Sequence, residues 1–235
     1  MMRATRIALI HATALAIDPV NQAFKSWWPD ATLQNILDDS LSRDHAAAGE
    51  LTADMVERFI DLANYAKRAG CQGILFTCSA FGEAIEAAAS SVGIPTLKPN
   101  EAMFEQALRM ALDGALKQNA APGKALNIGL VATFAASLVS MGEEFRAMSA
   151  GLERPVHLHT VFVPGAMDAL AQGRAEMHHQ LVAQGVQALP SCEVIMLAQF
   201  SMAAAQAAAQ ATTPVPILTS PECAVLALQQ RMKNV

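Results

Sequence analysis

Shifted by 121 residues, the chain falls on itself. Ile7 meets Ile128 and Leu9 meets Leu130; Cys71 meets Cys192, Ile74 meets Ile195, Pro95 meets Pro216, Leu97 meets Leu218 and Glu101 meets Glu222. Alanine matches carry little weight in so alanine-rich a chain, but shared Cys, Pro and Glu in matching contexts point to a duplicated architecture. At 235 residues the chain could hold one large α/β domain or two small ones. The repeat selects two related modules.

Each module reads as strands alternating with helices. Apolar runs at 6–12, 32–37, 73–77 and 94–97 have strand length. Between them, helices are expected at 17–28, closed by Pro29, at 52–69 and at 81–91, ended by Gly93. Thr52 is a good N-cap, and Met55, Val56, Phe59, Ile60, Leu62 and Ala63 keep helical spacing behind it. The cycle then repeats: helix 99–117, a Pro/Gly-containing linker 119–123, strand 125–132, helix 135–148, strand 156–163, helix 174–189, strand 194–198, helix 202–210, strand 215–218 and a last helix from Pro221. Alternation of this kind builds βαβ units and a parallel sheet, whose ligands bind at the carboxyl ends of the strands. The fold class expected is α/β: two pseudo-symmetric parallel-sheet, Rossmann-like domains related by internal duplication, with the active site in the cleft between them.

Composition removes several classes of function. Hydrophobic residues make up 53% and charged residues 16%, which suits packed helices on sheets and not disorder. A net charge of −5 without any run of Lys or Arg argues against a nucleic-acid partner. Four cysteines in a chain this long form neither a disulfide framework nor a metal motif, so a reducing cytoplasm is expected. The start, 1–17, superficially resembles a signal peptide, but His11 interrupts it and 7–10 reads better as a core strand. The uncharged windows 125–142 and 194–221 divide into strand plus helix, so no membrane span is expected. His157 and His159 alternate along a strand without a third ligand nearby, and no glycine-rich phosphate loop is present; neither a metal nor a nucleotide cofactor is implied.

The stretch Leu75-Phe76-Thr77-Cys78-Ser79-Ala80-Phe81-Gly82 is the candidate active centre. A buried strand ends there in a polar Thr-Cys-Ser cluster and a helix starts at once. Helix N-termini present unpaired N–H groups and a positive partial charge, which favour thiolate over thiol and also a bound carboxylate. In the second half, the hydroxyl of Thr133 and the N–H groups of Phe134 and Ala135 offer a similar place. Cys71, Cys192 and Cys223 read as packing residues. Ser201 reads as an N-cap or a substrate contact, His178 and His179 as a solvated face, and Asp38 and Asp39 as helix caps. His11 ends the first strand and points toward the same cleft. In the duplicated frame Cys78 falls on Gln199 and Ala12 on Thr133.

These residues resemble the aspartate/glutamate/hydantoin racemase superfamily, which also includes maleate isomerase and arylmalonate decarboxylase. The resemblance rests on 7–12, Phe76-Thr77-Cys78-Ser79, Gly93-Ile94-Pro95 followed by Glu101-Ala102-Met103, Gly129 to Thr133, and Leu197-Ala198-Gln199-Phe200-Ser201-Met202. It implies a C-terminal helix that returns to the first domain, giving 1–98 plus 213–235 as one domain and 99–212 as the other. It also implies a homodimer. Racemases of the family carry one cysteine at the end of the third strand of each half and pass a proton across the α-carbon. Cys78 matches the first; Gln199 stands at the second, and an amide cannot deprotonate or reprotonate carbon. The function implied is a cofactor-independent isomerase acting at the carbon α to a carboxylate of a small amino acid or related acid, with Cys78 as its one thiol. His11, Thr77, Ser79, Ala80, Thr133, Phe134, Gln199 and Ser201 are the candidate substrate-binding residues. A one-thiol decarboxylase of the arylmalonate type and a non-catalytic carboxylate-binding protein remain as alternatives.

Overall fold

The computed structural model describes residues 5–117, 121 and 123–233; residues 1–4 of the leader-like start and 119, 120 and 122 of the linker lie outside them. The chain divides into two compact units, one made of 1–101 and 224–235 and the other of 102–223. The first unit runs β1 (Arg6–His11), α1 (Ile17–Trp27), β2 (Thr32–Leu37), α2 (Leu41–Ala48), α3 (Ala53–Arg68), β3 (Gly73–Phe76), α4 (Gly82–Val92) and β4 (Thr96–Leu97). Next come α5 (Glu101–Lys117), β5 (Leu126–Ala132), α6 (Ala135–Ser149), β6 (Val156–Phe162), α7 (Ala166–Ala171), α8 (Ala175–Gln187), β7 (Val194–Leu197), α9 (Gln206–Gln210), β8 (Ile217–Thr219) and α10 (Ser220–Lys233). Two short helices, α2 and α7, are not anticipated by the sequence pattern.

Each unit contains a four-stranded parallel sheet, ordered β2-β1-β3-β4 in the first and β6-β5-β7-β8 in the second. The 121-residue repeat is exact in the register: Ile7 opposite Gly73 becomes Ile128 opposite Val194, and Ile74 opposite Thr96 becomes Ile195 opposite Ile217. The second strand is offset by 125 instead, since Ile7 pairs Leu33 while Ile128 pairs Leu158. The same offset carries the start of α2 at Leu41 onto the start of α7 at Ala166.

The central strands are apolar on both faces because helices cover both. In the first unit Ala8, Ile10, Ile74 and Phe76 join a core with Phe59 and Ala63 of α3 and Ala84, Ile85 and Ala88 of α4. Side chains alternate along a strand, so Ile7 and Gly73 look the other way. There a Cβ on Gly73 would stand 3.1 Å from Met232 Sδ and 3.5 Å from Leu228 Cδ1, both in α10. That close packing, with Arg231 bonded to Glu101 at 2.9 Å, draws the end of α10 into the first unit. The sequence assigns 213–223 to the first domain, whereas these residues stay in the second unit: β8 completes its sheet beside β7. Thr52 caps α3 as expected, its hydroxyl accepting from Met55 N–H at 3.3 Å. No helix among the described residues is long and apolar enough to cross a membrane.

In the second unit α8 lies as tightly on its sheet. A Cβ on Gly185 would come 2.5 Å from Val163 Cγ2 and 3.1 Å from Val131 Cγ1, branched side chains with little rotamer freedom. Gly185→Ala is therefore expected to destabilise by about 1–3 kcal/mol although alanine is the better helix former. A urea midpoint equal to or above that of the unaltered protein would contradict this packing.

Candidate active site

In both sheets the chain reverses its direction of strand addition about the central pair, β1 and β3 or β5 and β7. The carboxyl ends of that pair flank the crevice where ligands bind in open α/β sheets. His11 closes β1, and Thr77 and Cys78 follow β3 directly.

His11 and Thr77 lock this point. Thr77 N–H donates to Ile10 C=O at 3.1 Å, and its hydroxyl lies 2.8 Å from His11 Nδ1. His11 Nε2 lies 2.9 Å from Asn35 Oδ1 in β2. An amide oxygen only accepts, so Nε2 carries the hydrogen and Nδ1 accepts from Thr77. Asn35 in turn donates to Asn21 of α1 at 3.3 Å. His11 is fully buried, and burial holds its pKa below the ordinary value against the Asn35 bond. It is thus a neutral strut with both ring nitrogens engaged, and the Thr77 hydroxyl is equally occupied.

Cys78 is half-buried and extended, ahead of a single 3₁₀ turn, Ser79–Phe81, that leads into α4. Burial pushes its thiol up, opposed by hydrogen bonds from Ala80 N–H and from the Ser42 hydroxyl of α2. The expectation of a thiolate favoured by the helix start is corrected: one short turn separates sulfur from α4, and desolvation outweighs the two donors. The Ser79 hydroxyl, half-buried beside it, has no hydrogen-bond partner among the described residues. Beneath the turn Phe81 packs on Phe59 at 4.9 Å and on His45 at 5.0 Å between ring centres.

The sequence pattern does not single out α2 or its anchor. Arg58 of α3 reaches Asp38 at 2.5 Å, Asp44 at 2.7 Å and Ser40 at 2.5 Å, while Asp38 accepts from the Ser40 N–H and hydroxyl. Burial alone would raise the Asp38 carboxyl, but Ser40 and Arg58 bring it below its ordinary value. Asp38 thus closes the turn into α2 rather than capping with its neighbour Asp39. The legible signal was the alternation Asp38-x-Ser40-x-Ser42-x-Asp44 followed by alanines, a helix start too short for its apolar spacing to register.

The second unit uses its equivalent residues differently. Gln199 Oε1 accepts from Thr133 N–H at 2.9 Å and from its hydroxyl at 3.2 Å, and Gln199 Nε2 donates to Ser137 Oγ at 2.6 Å. Ser137 donates onward to Phe134 C=O at 2.7 Å. The amide and both Thr133 donors are engaged with each other within the unit. The Phe134 ring is 48% exposed, and Ser201 lies inside the 3₁₀ segment Phe200–Ala205 with Gln199 in the N-cap position. Cys192 and Cys223 are buried; burial, reinforced by Glu193 and Glu222, pushes their thiols up to about 11 and about 12. His159 bonds Asn127 at 2.9 Å, and no group of metal-ligating side chains occurs among the described residues.

His178 corrects another expectation. It is fully buried rather than solvated, and neither ring nitrogen has a hydrogen-bond partner. It shares one stripe of α8 with Val182 and Val186, which face the core.

No protein-family profile and no curated protein sequence matches the chain. Solved structures do. Glutamate racemase isoform RacE1 of Bacillus anthracis is similar at 13% identity with a TM-score of 0.71, over 98% of this chain and 82% of that one. Allantoin racemase of Klebsiella pneumoniae is similar at 16% identity and a TM-score of 0.67, over 98% and 88%. The Gly74Cys mutant of arylmalonate decarboxylase, in its sulfate-associated form, is similar at 14% identity and 0.59, over 97% and 93%. The chain shares its fold with these proteins.

Removing the latch in the second unit has a defined consequence. Gln199→Leu strands the Thr133 N–H and hydroxyl and removes the donor to Ser137 Oγ, which keeps its bond to Phe134 C=O, a loss of about 1–3 kcal/mol. The Thr133 amide should then exchange with deuterium faster; unchanged protection would refute the latch. Burial lowers the pKa of both His11 and His178, in the latter case helped by the neighbouring charge of His179. The unfolded chain binds protons near pH 6.5 that the folded chain refuses, so stability present above that pH falls as pH drops through it, by up to about 1.4 kcal/mol per unit for each histidine. His178→Leu, which removes a buried unpaired polar ring, should leave stability at pH 7.5 unchanged or higher and roughly halve the acid slope of the urea midpoint.

Proposed function

We propose that this chain is a cofactor-independent enzyme acting at the carbon α to a carboxylate of a small amino acid or related acid, with Cys78 as its single working thiol. The observation that carries the reading is the place of Cys78: it follows β3 directly, at the crevice of its sheet, half-buried and extended ahead of the turn into α4. The racemase fold supports the reaction class. The substrate carboxylate would be met by the free Ser79 hydroxyl and by N–H groups of the turn, where charge delocalised into an enediolate is stabilised. Cys78 takes the α-proton as thiolate or returns it as thiol. The thiol that has taken up the α-proton exchanges it with solvent.

A second reading is favoured by the protonation of Cys78. Burial keeps it a thiol, and a thiol is the donor a decarboxylation needs. Carbon dioxide leaves with the C–C bond broken, its electron pair stays on the α-carbon as an enediolate, and the S–H proton then quenches it. The neighbouring arylmalonate decarboxylase fold is compatible with that outcome.

Incubating single enantiomers of amino acids and substituted malonates in deuterated water separates the two. α-Deuteration without carbon dioxide marks the first reading, and release of carbon dioxide with one deuterium at the α-carbon marks the second. Cys78→Ala should lower either activity by at least about a hundredfold. Turnover unchanged by Cys78→Ala would remove the thiol from the mechanism.

A further inference from the structure

The histidine pair on β6 belongs neither to the core nor to the crevice. His157 and His159 stand two apart on a strand at the edge of its sheet, so both side chains leave the same face. Further along that face Val161 packs on the core, whereas His157 is exposed and His159 half-buried. Their rings stand edge to face with centres 6.4 Å apart.

The neighbouring strand prepares one of these rings. Asn127 of β5 is opposite His157 in the register, and its Oδ1 lies 2.9 Å from His159 Nε2. An amide oxygen only accepts, so Nε2 carries the hydrogen and His159 Nδ1 keeps its lone pair. That Nδ1, and both nitrogens of His157, have no hydrogen-bond partner among the described residues. Asn127 is itself held: its N–H donates to the Glu193 carboxylate at 2.5 Å, and its C=O accepts from Glu193 N–H at 2.8 Å. A histidine whose second nitrogen donates to a fixed oxygen has its tautomer and ring plane set in advance for a metal ion. The first unit makes the same bond between its first two strands, His11 Nε2 to Asn35 Oδ1 at 2.9 Å, with the opposite outcome. There the ring is fully buried and its Nδ1 is taken by Thr77; on β6 the remaining nitrogen is left over.

We propose that His157 and His159 form a two-imidazole chelate for one divalent cation that favours nitrogen ligands, such as Ni²⁺ or Zn²⁺, with Asn127 as the positioning residue for His159. Imidazole suits these ions, and the ligand on each ring is a neutral nitrogen lone pair. With metal–nitrogen bonds of about 2.0–2.1 Å, two imidazoles on a tetrahedral ion have ring centres about 5 Å apart. The exposed His157 closes the remaining gap by turning about its side-chain bonds, while His159 stays on Asn127. No third ligating side chain joins the pair among the described residues, so water completes the shell and the ion is an exchangeable one rather than a structural one.

The chelate does not depend on the chemistry at Cys78, and its test needs no substrate. Ni²⁺ alone, titrated calorimetrically into the full chain, should bind at one ion per chain. His157→Ala and His159→Ala should each weaken that binding by at least about tenfold, and His179→Ala should leave it unchanged. Asn127→Ala keeps both ligands and should still cost about tenfold, whereas Asn127→Asp, which offers the His159 Nε2–H a carboxylate oxygen, should bind at least as tightly as the unaltered protein. Absence of saturable Ni²⁺ binding would overturn the proposal, as would binding that ignores His157→Ala. Asn127→Ala binding as tightly as the unaltered protein would overturn the positioning role. The unaltered protein supplies a readout that requires no variant to fold. In its proton NMR spectrum Zn²⁺ should shift the ring signals of His157 and His159 and leave those of His45 and His179 in place; the reverse pattern would refute the assignment.

Discussion

Everything in the first unit hangs on the seam between β1 and β3. Its register runs from Ile7 opposite Gly73 to Ile10 opposite Phe76, buried on both faces. Its upper end is closed by two bonds at Thr77, one from the main chain to Ile10 and one through the side chain to His11. A parallel pair buried on both sides cannot slip by one residue without exchanging its two apolar faces. Thr77 is therefore fixed, and the residue after it leaves the sheet at a fixed place and in a fixed direction. The position of Cys78 is a consequence of the core before it is a matter of chemistry.

What the sulfur does there is decided by opposing effects of different range. The helix field is weak at Cys78 because it acts over about one turn and a 3₁₀ segment intervenes before α4. Desolvation acts on the whole side chain and wins. The result is a neutral thiol at the end of β3. Cys223 is subject to the same effect: burial, reinforced by Glu222 and only partly offset by a backbone N–H and Arg109, pushes its thiol to about 12.

The strands, their parallel pairing and most helices were legible because buried parallel strands are continuous apolar runs and the repeat states them twice. The exact offset survives in the strand pairing, where Leu75 opposite Leu97 becomes Met196 opposite Leu218. The two short helices were not legible: six or eight residues give too few turns for an apolar stripe to emerge, and α2 is held by Arg58 from a helix further along the chain. Among the candidate site residues, position on the sheet was legible but hydrogen-bond direction was not. Thr77, His11, Thr133 and Gln199 all stand where a ligand would be met, and all turn inward to close the structure. His178 was legible and misread: its charged neighbours on α8 suggest solvent, yet its spacing of four and eight to Val182 and Val186 already places it on the buried stripe.

The asymmetry between the halves follows from where each one places its latch. Both halves bind the third strand to the first by the same main-chain bond, Thr77 N–H to Ile10 C=O and Ala198 N–H to Val131 C=O. Above that bond the first half closes with His11 and Thr77, and the equivalent residues in the second half are Ala132 and Ala198, which have no side chain able to close anything. Closure there moves one residue outward, to Thr133 and Gln199. The position that carries a thiol in one half is thereby committed to structure in the other. A single-residue shift of a polar latch is enough to leave Cys78 outside the latch in one half and to bring its duplicate, Gln199, into it. Gln199 is then the natural complement of two alanines, with no need to regard it as the remnant of a lost catalyst.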